Sequence, residues 1–525
     1  MPTAAAYPLD PAAAAPPSAR RDYSFAAKVA VAAALVALGD WLFAGGEFGA
    51  SLGLFAWLLL VAMAATRPAL LRSRSALVAG GAAALFAVAL GDDPSLLAFA
   101  LFWVAATLAA LLPRARFDDG WRWFIRVLRH LVLSLPQPGR DWMRLRGARR
   151  RVGAVSLVSR LPVLLLPLAG SLVFLALFAT ANPLIGDAFN RIDPDALIGG
   201  FSPVRLVFWL VLGIAVWSLL RPAGLLPRGA AAVPVDDIRL PGVSHASVTL
   251  SLLAFNAIFA LQNGLDIAFL WSGAPLPGDL TLAGYAHRGA YPLIATALLT
   301  ALFVLVTLRP GSALAASPLV RRLVYVWIAQ NVLLVASTML RTYDYVEAYS
   351  LTRLRIAAFL WMALVAIGLV LICYRVWRER SGAWLINANL LAAAVLLAGC
   401  AFVDFGAAAA AWNVRHTRDV GGKGVSLDLC YLDQLGPSAL LPLVEIESQP
   451  IRPALRHRVA LLRNGQMDRL EAEQANWRTW TFRGARRLAR AEALVAARRL
   501  PRQRGAGGGC APPPPTVALT PAWQG

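Results

Sequence analysis

The chain is short of charge. Only 15% of its 525 residues are Asp, Glu, Lys or Arg, against roughly 25% in a soluble protein. Lysine is nearly absent, standing at Lys28 and Lys423 alone, so arginine carries almost the whole formal net charge of +21. Cysteine occurs four times, at Cys373, Cys400, Cys430 and Cys510, and no CxxC or Cys/His spacing is present. A zinc-ribbon or zinc-finger framework is therefore excluded, and no metal site is expected. No Walker loop, HExxH, GxSxG or protein-kinase motif stands in a fitting context. The motif-borne chemistries of nucleotide, zinc and serine enzymes have no support, and no cofactor is expected.

What fills the chain instead is apolar: 58% of the residues are hydrophobic. Runs without charge recur, such as "LPVLLLPLAGSLVFLALFATA" at 161–181. As a helix, about 20 apolar residues match the ~30 Å hydrocarbon core of a bilayer. Eleven spans are expected, at 26–44, 49–65, 76–90, 94–113, 161–181, 204–221, 247–270, 290–308, 322–340, 354–374 and 384–405. The fold class is all-α, a polytopic transmembrane helical bundle followed by a small α-helical extracytoplasmic domain. The first run holds Lys28 and Asp40 and is too long for a signal-peptide core, so it is a retained helix. Residues 1–25 are an Ala/Pro-rich disordered segment, 26–405 the transmembrane domain, 406–500 a periplasmic helical domain and 501–525, with "GAGGGCAPPPP", a disordered tail.

Arginine placement agrees with that count. With residue 1 inside, the inner segments hold Arg67, Arg72 and Arg74, a dense cluster in 114–160, and Arg375, Arg378 and Arg380, among others. The outer loops hold only Arg191, Arg205, Arg288, Arg341, Arg353 and Arg355. This is the positive-inside pattern, so the basic excess signals topology and not nucleic-acid binding. It puts the N-terminus in the cytoplasm of a bacterium and the C-terminus in the periplasm, with the chain in the inner membrane.

Loop 114–160 contains "WRWFIRVLRHLVL" (121–133), which as a helix groups Arg122, Arg126, Arg129 and His130 against Trp121, Ile125, Leu128 and Val132. Such a helix suits the headgroup layer, with anionic lipid as its partner. A plain connector that orients the bundle is an equal reading. Beyond 406, residues 426–447 read as helix, Gly-Pro break, helix, and 470–500 as one long helix with Arg483, Arg486, Arg487 and Arg490 facing water or headgroups. Cys430 and Cys510 could pair if exported, but the Gly/Pro tail around Cys510 speaks against the bond.

Two groups of polar residues could carry chemistry. Within the spans lie Asn256, Asn263, Gln330 and Asn331, whose commoner use is hydrogen bonding between helices. At the outer ends lie Asp266, then Tyr285, His287, Arg288 and Tyr291, then Arg341, Asp344, Glu347 and Arg353. Arginine there runs against the topology bias. It calls for a carboxylate partner or an anionic headgroup or ligand. Arg288 is expected to pair with Asp344 or Glu347. The alternative is that "YAHRGAYPL" (285–293) opens a helix whose N-terminus faces an anion.

"LAFNAIFALQNGLDIAFLW" (253–271), "YAHRGAYPLIATALL" (285–299), "YVEAYSLTRLRIAAFLWMALVAIGLVL" (345–371) and "WNVRHT…LDLCYLDQLGPSAL" (412–440) resemble the bacterial multi-pass membrane family known as domain of unknown function 4173. The resemblance spans roughly 200–500 and implies the architecture without an activity. Ser350 stands where that pattern has glycine, which argues against a left-handed backbone there. Three functions follow in order. The first is a non-enzymatic envelope component for sensing, assembly or scaffolding, with 406–500 contacting a periplasmic protein. The second is a transporter of a small solute lined by Asn256, Asn263 and Asp266. The third is an enzyme acting at the periplasmic face on a lipid-linked or phosphorylated substrate, with His287, Asp344 or Glu347 as base.

Overall fold

A computed structural model describes residues 25–150 (except 44 and 116), 203–222, 244–272, parts of 296–304, 316–502 and Cys510. All regular elements among them are helical. In chain order, Phe25–Phe43 is α1, Ala50–Thr66 α2, Arg74–Asp92 α3, Leu96–Leu111 α4, Gly120–Ser134 α5, Gln137–Arg150 α6, Pro203–Leu220 α7, His245–Asp266 α8, Pro318–Tyr349 α9, Arg353–Trp377 α10 and Gly382–Cys400 α11. Among the described residues, eight of these (α1, α3, α4 and α7–α11) are long and apolar enough to cross a membrane, and α2 is a shorter apolar helix. The protein is membrane-embedded. These helices coincide with nine of the eleven expected spans. The span at 161–181 and most of 290–308 lie outside the described residues.

The apolar helices form two cores. The first gathers α1–α4 and α7 around Leu42, Phe55, Leu59 and Phe102. Small residues make it: Ala83 and Ala87 of α3 are buried there with Ala98 and Ala106 of α4. A Cβ on Gly53 would lie 2.5 Å from the Gly91 backbone nitrogen, so α2 and α3 touch backbone to backbone. Between lipid-embedded helices no hydrophobic force acts, and this close approach gains dispersion contacts instead. The second core joins α8–α11 and is built on large rings, with Trp327 held among Phe255, Phe303 and Phe259 at 5.2, 5.6 and 5.9 Å between centroids. Several helix starts carry the capping residue that the sequence shows. Ser95, Ser244, Thr352 and Ser381 each accept a backbone N–H from the first turn.

At one end of the bundle α5 and α6 are fastened to the helix ends. The Asn387 amide accepts from Gly120 N at 2.8 Å and donates to Asp119 at 3.2 Å, while Asp141 accepts from Trp217 Nε1 at 3.1 Å and pairs with Arg221 at 3.3 Å. The grouping expected on α5 needs correcting. His130 does not share the arginine face: seven residues after Trp123, it falls in the same buried stripe. Leu128, Leu131 and Val132 point outward, and Arg126 lies over the Trp123 ring, paired with Asp118 at 2.7 Å.

At the other end sit Phe405–His416 (α12), Leu429–Gln434 (α13), Leu440–Glu447 (α14), Pro453–Ala475 (α15) and Phe482–Ala497 (α16). Their cores centre on Leu432, Leu443, Ile446 and Val459, and on Leu440, Val444 and Met467. The single helix expected over 470–500 is two. Residues 476–481 form a turn between them, in which Trp480 O accepts from Ala50 N at 2.7 Å and Thr481 caps α16. The cysteine expectation is overturned as well. Cys430 and Cys510 form a disulfide across 80 residues, binding the tail back to α13.

Candidate functional site

Between α8 and α9 the intramembrane amides close on one another. Gln330 Nε2 donates to Asn256 Oδ1 at 3.2 Å, and Asn256 Nδ2 donates to the Leu323 carbonyl at 3.1 Å. Two turns further along α8, Asn263 Nδ2 donates to the Gln330 carbonyl at 3.1 Å. Asn331 accepts from the Thr300 hydroxyl at 3.2 Å. The ladder ends at Asp266, which pairs with Arg341 and accepts from Gln262 at 3.0 Å. Both members of that pair are buried. Buried charge in a bilayer is tolerated when paired in this way.

The candidate residues at the helix ends do not form one site. Arg341 joins Asp266. Glu347 accepts from Tyr343 and lines a pocket of about 110 Å³ together with Ser350, Asn413, His416, Thr417 and Lys423. Asp344 stands one turn behind it on α9. Arg353 opens α10 and lies against Gly406 on the first turn of α12. Tyr285, His287, Arg288 and Tyr291 lie outside the described residues, and with them the proposed pairing of Arg288.

The turn at 350 corrects the glycine argument. Ser350 has φ 70° and ψ 163°, a left-handed conformation that favours glycine. Its neighbours hold it there. Asn413 Oδ1 accepts from Leu351 N at 2.7 Å, Asn413 Nδ2 donates to Leu351 O at 2.9 Å, and Arg355 donates to the Ser350 and Tyr349 carbonyls.

The strongest concentration of charge is where α16 meets the helix ends, and the sequence reading did not find it. Arg483 binds Asp92 and Asp93, each at 2.9 Å. Arg486 also binds Asp92, and Arg487 binds Asp404. Asp404 is further tied to Ala407 N at 2.9 Å and Ser438 Oγ at 3.0 Å. Burial would raise the Asp404 carboxyl, but the Ala407 N–H, Arg487, Ser438 and Arg483 together hold it below its ordinary value. Asp93 goes the other way: burial, aided by Asp404 and Asp92, lifts it despite Arg483. A signal was present. "GDD" (91–93) puts two acids into a short turn between apolar runs, and 482–490 is an arginine-dense segment of matching charge.

The family model for Domain of unknown function (DUF4153) matches residues 30–446. This replaces the resemblance to domain of unknown function 4173, which is a different family. No curated protein and no solved structure matches the chain.

Proposed function

We propose, from the premise that the chain belongs to the DUF4153 family, that it is a non-enzymatic structural component of the bacterial inner membrane. Its helices α12–α16 form an extracytoplasmic domain clamped onto the outer ends of the spans and available to a periplasmic protein. The observation that carries this is pairwise closure. Arg483, Arg486 and Arg487 of α16 are spent on Asp92 and Asp93 at the end of α3 and on Asp404 at the start of α12. Between α8 and α9 the Gln330 amide donates to Asn256 and the Asn263 amide to the Gln330 backbone carbonyl. A solute path would keep such groups facing water. A catalytic base would share a groove with its phosphate-binding arginines. Glu347, the described base candidate with a pocket, instead shares that small pocket with His416 and Lys423.

Two features support the orientation. The arginine asymmetry puts α12–α16 outside, and a disulfide between Cys430 and Cys510 suits an oxidising compartment. Alkaline phosphatase fused after residue 420 should be active and a fluorescent protein there dark. Cells deleted for the gene and complemented with Glu347→Gln or Asp344→Asn should behave as wild type. Arg487→Asp should fail, and Arg487→Asp with Asp404→Arg should recover. Loss of complementation by Glu347→Gln alone, with the clamp variants silent, would overturn the structural reading in favour of chemistry.

A further inference from the structure

Below the charged clamp lies a cavity of about 560 Å³, within the ~300–1,000 Å³ of small-molecule sites. Its walls are Leu360, Trp361 and Leu364 of α10, Leu396 and Leu397 of α11, and Leu97 of α4. Trp361 and Leu397 remain 47% and 42% exposed, so the groove opens sideways from the bundle, toward the bilayer. Its upper rim is polar: Arg353 and Arg483, Asp93 and Asp404, Ser95 and Ser438. An apolar channel under a charged rim, at the level where α10 begins and α11 ends, has the polarity profile of one lipid molecule in a leaflet.

The charge of the rim selects among lipids. The groove itself is lined by Arg353 and Arg483 with Asp93 and Asp404, and in the clamp above it Arg483, Arg486 and Arg487 are matched by Asp92, Asp93 and Asp404. The cation left over is Arg353. Among the described residues its guanidinium reaches no carboxylate, only the Leu435 carbonyl at 3.5 Å. It lies flat on the start of α12, where a Cβ on Gly406 would come within 2.4 Å of it. Arg353 is also the first residue of α10, so the positive ends of two helix dipoles meet there.

We infer that this groove binds an anionic phospholipid of the surrounding leaflet, its phosphate on Arg353 and an acyl chain between α10 and α11. The inference goes beyond the structural role proposed above and stands or falls separately from it. The test uses the full chain, purified and delipidated, with dioleoyl phosphatidylglycerol, phosphatidylcholine and inorganic phosphate as probes, read by native mass spectrometry and thermal shift. Phosphatidylglycerol should bind about tenfold tighter than phosphatidylcholine, a difference of about 1.4 kcal/mol. Arg353→Gln should erase that preference while leaving the melting temperature in phosphatidylcholine unchanged. Ala393→Trp, which fills the groove, should weaken both lipids, and Arg378→Gln at the far end of α10 should change nothing. Should Arg353→Gln not fold, Gly406→Ala, which displaces the guanidinium, serves in its place. The inference is overturned if neither variant alters the preference. It is overturned equally if phosphate alone gives the full shift and Ala393→Trp leaves it intact, which would make this a free-anion site.

Discussion

Three basic side chains are buried in three regions, and each is accommodated differently. In the C-terminal helices Arg463 is fully enclosed, and Glu447 meets it as a fork, at 2.6 and 3.2 Å, while the Pro501 carbonyl takes a further bond at 2.7 Å. Between the spans Arg341 meets Asp266 through one carboxylate oxygen, which Gln262 shares. Under α5, His130 has no hydrogen-bond partner on either ring nitrogen. Burial, with Arg114 and Arg67 adding to it, pushes its pKa down to about 4. The contrast follows from what surrounds each group. An arginine cannot discharge, so when it is buried its charge must be met, in these two cases by a carboxylate. A histidine can, so burial beside two cations simply leaves it neutral.

Breaking the fork should have the largest effect. Glu447→Ala leaves Arg463 charged and unmatched in a dry core, a loss of about 3–5 kcal/mol. Thermal or denaturant unfolding in detergent should show it as a collapse of α13–α16 before the spans. A loss below about 1 kcal/mol would mean that water reaches Arg463.

His130 comes next and carries a sign. The unfolded chain takes up a proton near pH 6.5, the folded one only near 4. Stability is therefore full above 6.5 and falls as pH drops through that window, levelling below about 4. The span of the shift is worth about 3 kcal/mol. His130→Leu should flatten the melting temperature over this range. A slope that survives the substitution would assign it elsewhere.

The joint between the two regions offers a gain. Ser350→Gly relieves a backbone conformation that costs a serine on the order of 1–3 kcal/mol, offset in part by the greater freedom of glycine when unfolded. A net stabilisation of about 1 kcal/mol is expected in the melting temperature. A destabilised variant would show that the serine hydroxyl matters more than the φ angle.

Smallest is a single rung of the amide ladder. Asn263→Leu should cost about 0.6 kcal/mol, the usual worth of one hydrogen bond between membrane helices. A double-mutant cycle with Asn256→Leu would show whether the rungs act as a unit, and additivity would separate them.

Much of the bundle was legible because lipid imposes a length and forbids open backbone. Nine of the expected spans coincide with described helices, and serine or threonine caps stand at several of their starts. The candidate cluster was legible only in its residue types. Asp266 and Arg341 lie 75 residues apart and meet because α8 and α9 run alongside each other. Glu347 and His416 meet only because the turn at Ser350 sends α10 back and α12 returns beside α9. The clamp joins Arg483 to Asp92 across 391 residues, beyond any local pattern.

Composition and periodicity alone determined that this chain is helical, membrane-embedded and richer in arginine between its apolar runs, because hydrocarbon thickness and membrane charge act on each segment separately. Which arginine meets which carboxylate was decided only by the tertiary structure. So were the break of residues 470–500 near the Trp480 carbonyl that Ala50 binds, the return of Cys510 to Cys430, and the placement of Arg353 on the rim of a groove. Each of these is a pairing between distant segments, and the energy that selects it appears only once both partners are brought together and shielded from water.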